Sequence, residues 1–123
     1  ACGVFVLAIP HKEYTFDQFR QITPLSHHIE DYEKYERNRD VLHLIDYLEN
    51  AHIKYQGNTA DITLHCREFL LGSNRYDIHY HTFTEDSFSE IINWFNTNVY
   101  KWSSCEIFNR LEGGIEFFVR LVK

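Results

Sequence analysis

A chain of 123 residues that is 44 % apolar and 16 % aromatic can build one hydrophobic core, and a single domain spanning 1–123 is expected. Ten Phe and eight Tyr exclude a solvated coil, and a formal charge of −6 argues against a dedicated nucleic-acid binder, which carries a basic excess. Cys2, Cys66 and Cys105 contain no CxxC pair, which excludes a zinc knuckle or thioredoxin motif and suits reduced thiols in a cytoplasmic protein.

The first element is a strand over residues 4–9, "VFVLAI", apolar on both faces. Such a strand is normally central, covered above and below or held at a tight interface, and the run is far too short to span a bilayer. Pro10 stops it. Thr15 and Gln18 have capping-box spacing, followed by Phe16, Phe19 and Ile22, so a short helix is predicted before "TPLS" breaks it. Residues 28–56 read as one helix. Its apolar stripe is Val41, Leu44, Ile45, Leu48 and Tyr55, after a charged beginning carrying Tyr32 and Tyr35. The pairs Glu30–Lys34 and Glu33–Arg37 have i,i+4 spacing.

Residues 61–71 and 75–83 alternate around "GSN" and read as a hairpin. A second long helix starts at Thr84, with Phe83 placed to staple onto Phe88 and a stripe of Phe88, Ile91, Ile92, Phe95 and Val99. A last hairpin, 104–112 and 115–122, turns at Gly113-Gly114. A bulged register is expected there, because only it puts Ile107, Leu111, Phe117, Val119 and Leu121 on one face. The order is then β-α-α-β-β-α-β-β. This is an α+β domain with a mostly antiparallel five-stranded sheet and helices on one face, similar to an elaborated ferredoxin-like fold.

In that arrangement the first hairpin turns Ile62, Leu64, Cys66 and Leu70 inward. It exposes His65, Arg67, Asp77, His79 and His81 on an open sheet face. Three chemistries compete for this cluster. A metal is one: His79-x-His81-x3-Glu85 resembles the ligand spacing of cupin barrels, but a cupin needs a second motif and many more strands, so no metal or other cofactor is assigned. Phosphodiester cleavage is another, with His65, His79 and His81 as acid and base and Arg67 as phosphate clamp. A mixed polar and aromatic binding face is the third. The remaining histidines are given no chemistry: His11, His27 and His28 are placed in loops, and His43 and His52 are packed along a helix.

With no phosphate loop or nucleophile elbow, the preferred reading is a small acidic protein-binding inhibitor rather than an enzyme. It would be of the immunity-protein, antitoxin or phage anti-defence type. Its partner is expected to be another protein with a basic surface, with no membrane and no nucleic acid involved. The expected contact residues are Asp31, Tyr32, Tyr35 and Glu36 on the early helix, with His65, Arg67, Asp77, His79 and His81 on the sheet. The alternatives are the His-dependent RNase or phosphodiesterase and a homodimer formed through the open sheet face.

Overall fold

Strand β1, Val4–Pro10, forms where β-branched and aromatic residues crowd the sequence. The computed structural model, which describes residues 3–34 and 41–123, pairs it antiparallel with β3, Glu116–Val122, from Val4↔Val122 to Pro10↔Glu116. Strand β2, Ser104–Phe108, pairs with the other side of β3, from Ser104↔Val122 to Phe108↔Phe118. The sheet is therefore three-stranded, in the order β1-β3-β2, with β3 in the middle.

On one sheet face Phe117, Val119 and Leu121 are buried against Ile92 of helix α4, Glu85–Asn98. Leu7, Ile9, Phe83, Phe88, Trp102, Cys105 and Ile107 surround that core. Full burial of each large side chain contributes about 1.5–3 kcal/mol. Helix α4 begins as its sequence foretells. The Thr84 hydroxyl accepts from the Ser87 amide, Ser87 Oγ accepts from the Thr84 amide, and Phe83 meets Phe88 with ring centroids 5.4 Å apart.

The other helices differ from the sequence reading. Residues 61–71 are not a strand: α3 is Ile62–Leu71. Asp61 caps it by accepting the Leu64 amide at 3.0 Å, and Gly72 ends it in the left-handed conformation, φ 68°. The alternation of Ile62, Leu64, Cys66 and Leu70 hid a helical stripe, because Ile62, Cys66 and Leu70 also fall at i, i+4, i+8. Residues 75–83 are not a strand either. They run without regular structure except for a single bridge, His11↔Phe83. The five-stranded sheet thus becomes three-stranded, and the order is β-α-α-α-α-β-β, which is not a ferredoxin-like sequence of elements.

The predicted long helix is in two described pieces. Helix α1 is Leu25–Lys34; α2 is Val41–Tyr47 and continues as a wider π-helical segment, Leu48–Tyr55. Leu44, Leu48 and Ala51 form a small second buried group. Tyr35 and Glu36, named above as contact residues, lie outside the described residues, as does Arg37. Lys34 does pair with Glu30. Residues 15–20 form turns rather than a helix, because Thr15 Oγ1 accepts the Asp17 amide at 3.2 Å and competes with helical hydrogen bonding.

In the last hairpin Ile107, Phe117, Val119 and Leu121 share the inner face as expected. Leu111 does not: it lies in the 109–115 loop and is 72 % exposed. Gly113 supplies the positive φ, 76°, that this turn needs. Among the described residues no helix is long and apolar enough to cross a membrane.

Candidate functional site

The segment 15–31 builds most of the polar interior. Arg20 is 2 % exposed, and its guanidinium spends its donors on four acceptors. Nε donates to Asp46 Oδ2 at 2.7 Å and Nη1 to Asp17 Oδ1 at 2.8 Å. Nη1 also reaches the His79 carbonyl at 2.5 Å, and Nη2 the Tyr80 carbonyl at 3.1 Å. A planar fork with fixed donor directions suits this task, which a lysine could not perform. Asp17, equally buried, holds His79 Nδ1 at 2.6 Å, and Phe16 stacks on the His79 ring at 4.7 Å. Burial alone would raise the Asp17 pKa. The hydrogen bonds from His79 and Arg20, with their charges, outweigh it and hold the carboxyl below the usual range.

Two threonines fix the other side of the 79–82 segment. The Thr82 amide donates to Thr23 Oγ1 at 3.0 Å, the Thr23 amide to Thr82 Oγ1 at 3.2 Å, and Thr82 Oγ1 to the Gln21 carbonyl at 2.5 Å. His81 therefore sits between two pinned neighbours, Tyr80 and Thr82. Pro24 then starts α1, which carries His27, His28 and Asp31.

These elements bring four side chains together that the sequence reading had kept apart. Asp31 Oδ2 lies 2.7 Å from His81 Nε2, 3.4 Å from His27 Nε2 and 3.5 Å from His43 Nε2. His27 Nε2 and His43 Nε2 are 3.2 Å apart. His27 and Asp31 lie one turn apart on α1, His43 comes from α2 and His81 from the irregular segment. The four side chains are 12–29 % exposed, so the cluster lies just beneath the surface. Their donor atoms all fall within 4.8 Å of one another, close enough to share one ion.

Electrostatics disfavour a positive charge on His81. Burial, then the charges of His43 and His27, lower the His81 pKa against the pull of Asp31. Burial works against the Asp31 carboxylate, but the His81 hydrogen bond and the three imidazoles hold its pKa down. Near neutral pH the pair is a neutral imidazole bound to a carboxylate.

His28 flanks the cluster, edge-on to His81 at 4.6 Å and stacked on Phe83 at 5.3 Å. Its Nε2 is buried and has no hydrogen-bond partner among the described residues. Burial, then the charges of His81 and His27, push its pKa down to about 4 from 6.5. A histidine with a depressed folded pKa binds fewer protons folded than unfolded. Its contribution is present above pH 6.5 and is lost as pH falls towards 4. Wild-type protein should lose about 2–3 kcal/mol more across that window than His28→Phe, which keeps the stack on Phe83. Urea unfolding as a function of pH checks this; parallel profiles would clear His28 of the effect.

The five residues assigned to an open sheet face do not share one. With 62–71 helical and 75–83 irregular, that face does not exist. His65, on α3, bonds Tyr76 Oη at 2.7 Å, and Tyr76 in turn donates to Glu68 at 3.0 Å. Arg67 and Asp77 are exposed on α3 and on the following segment. His79 belongs to Asp17 and His81 to Asp31, so His65, Arg67, His79 and His81 do not form a joint acid–base set. Glu85 is not paired with His79 or His81 as the cupin-like spacing would have it; its Oε2 lies 2.9 Å from His11 Nε2. On α1, Asp31 is turned into the cluster. Tyr32 is exposed, with its ring edge-on to Trp94 at 5.7 Å. One sequence signal for the cluster was available: His27 and Asp31 at i,i+4 share a helix face if the helix starts just after Pro24.

No family model, no curated protein and no solved structure matches the chain.

Proposed function

We propose that this chain is a protein-binding domain whose contact surface is the open face of the sheet together with the edge of β1 that is unpaired among the described residues. The supporting observation is β1 itself. It contains no charged residue from Val4 to Pro10, yet Val4, Phe5 and Val6 are 55 %, 53 % and 62 % exposed. Edge strands are ordinarily protected by charges, bulges or a covering segment. Strand β1 has the composition of a central strand and the position of an edge strand. The registers extend the apolar surface across the sheet, with Phe118 beside Ala8 on one side and Phe108 on the other. In the neighbouring row, level with Val6, Arg120 pairs with Glu106 at 2.7 Å and places one neutralised ion pair within the surface.

The occupant this surface fits is another polypeptide that adds an extended, apolar strand alongside β1 and lays apolar side chains over Val6 and Phe118. A net charge of −6 on each copy disfavours self-pairing and favours a neutral or basic partner. Covering an equivalent edge on the partner would make the chain an inhibitor by occlusion, the mode its composition suggested.

The double variant Val4→Lys, Val6→Lys tests the reading. Desolvating two ammonium groups at the contact should weaken partner binding more than about 100-fold. Leu71→Lys, on exposed α3, should leave it unchanged. Partners isolated with the wild-type chain and quantified by calorimetry against each variant give the answer. Equal affinity for both variants would sink the proposal, and a doubled solution mass abolished by the β1 variant would identify the occupant as a second copy.

A further inference from the structure

We infer that His27, Asp31, His43 and His81 form a binding site for one divalent transition-metal ion of zinc type, tying α1, α2 and the 76–83 segment together. The inference is independent of the sheet surface and rests on where four donor atoms lie. Tetrahedral zinc with bonds of about 2.0–2.1 Å requires its ligand atoms to be about 3.3 Å apart. Three separations meet this within about 0.2 Å: His27–His43 at 3.2 Å, His27–Asp31 at 3.4 Å and His43–Asp31 at 3.5 Å. His81–Asp31, at 2.7 Å, is a direct hydrogen bond that opens slightly when both atoms turn to an ion, and the His81 donor atom, within 4.8 Å of those of His27 and His43, moves towards them.

Three Nε2 atoms converge on a single carboxylate oxygen. Without an ion, one of the His27 and His43 rings donates to the other and His81 bonds the carboxylate. A shared cation accepts all three lone pairs and the carboxylate charge at once.

The donor set limits which ion it can be. Three imidazoles and one carboxylate suit zinc and its first-row neighbours, whereas magnesium and calcium take oxygen ligands. Among the described residues no thiol takes part: Cys66 and Cys105 lie elsewhere, on α3 and β2. Four protein ligands make a closed site of the structural kind rather than one with a water position. The framework for such a site is also present. Arg20 and the Thr23–Thr82 pair fix the backbone on both sides of His81, and such outer contacts commonly govern metal affinity.

The test uses the untagged chain stripped with a chelator and titrated with zinc against a chromophoric competitor, then with cobalt. One equivalent should bind. The cobalt form should show intense tetrahedral absorption without a sulfur charge-transfer band. Loss of an outer contact typically costs 10–100-fold in affinity, so His43→Ala and Asp31→Asn should each lose more than about 100-fold. His65→Ala should bind like the wild type. Should a variant fail to fold, the ring proton signals of the wild-type histidines decide instead: zinc should move those of His27, His43 and His81 and leave those of His52 and His65. Absence of stoichiometric binding at micromolar zinc, a thiolate band, or unmoved His27, His43 and His81 signals would each overturn the inference.

Discussion

Replacing Arg20 with leucine lowers the free energy of unfolding by about 3–5 kcal/mol, the cost of breaking a buried ion pair from one side. The leucine fills much of the volume but leaves the buried Asp17 carboxylate without its cation. It also strips the His79 and Tyr80 carbonyls of a donor. Asp46, half open to water at 39 % side-chain exposure, can be solvated and adds little. Arg20→Lys should recover only a small part of the loss, because one ammonium cannot reach acceptors spread around a planar fork. Denaturant unfolding followed by the fluorescence of Trp94 and Trp102 measures both variants. A loss below about 1 kcal/mol for Arg20→Leu would mean that the network is solvated rather than buried. Because the same guanidinium holds the chain beside His81, the leucine variant should also weaken the zinc affinity proposed above.

Phe117→Ala is expected to cost a similar amount, about 3–5 kcal/mol, by a different route. Phe117 is fully buried in the central strand and meets Phe88 and His11 edge-on at 5.9 Å and 6.2 Å. Truncation removes the transfer energy of the ring and opens a cavity between sheet and α4 that neighbours on a paired strand cannot close. Leu111→Ala is the matched control. The sequence pattern puts Leu111 on the same face as Phe117, whereas the structure puts it in an exposed loop, so its truncation should stay within about 0.5 kcal/mol. Equal losses for the two variants would restore the longer hairpin and refute the exposed placement of Leu111.

Much of the C-terminal half was readable from the residues. The Thr84 cap and the Phe83–Phe88 contact are local devices whose partners lie within a few positions, so their geometry follows from spacing alone. The alternation of 116–122 could be assigned to a strand because three buried residues at period two are not matched by any helical stripe. Residues 61–71 failed this test in the opposite direction. Over a span that short, apolar residues at even positions satisfy both periods, and the deciding signals were the Asp61 cap and Gly72, which the hairpin reading absorbed as the first strand residue and a turn residue. The error then moved His65 and Arg67 onto a face that does not exist.

The sequence by itself determined the α+β class, the capped helix α4, the terminal hairpin and the unusual apolar character of β1, because each depends on neighbours in the chain. Only the tertiary structure decided that β1 is an edge strand, that Arg20 is buried, and that His27, Asp31, His43 and His81 meet. Those results depend on contacts between separate segments, some of them 50 or more positions apart, such as His81 to Asp31 and Arg20 to the His79 carbonyl. No local period records such contacts, since hydrogen bonding and burial between distant segments are set by how whole elements pack rather than by the spacing within any one of them.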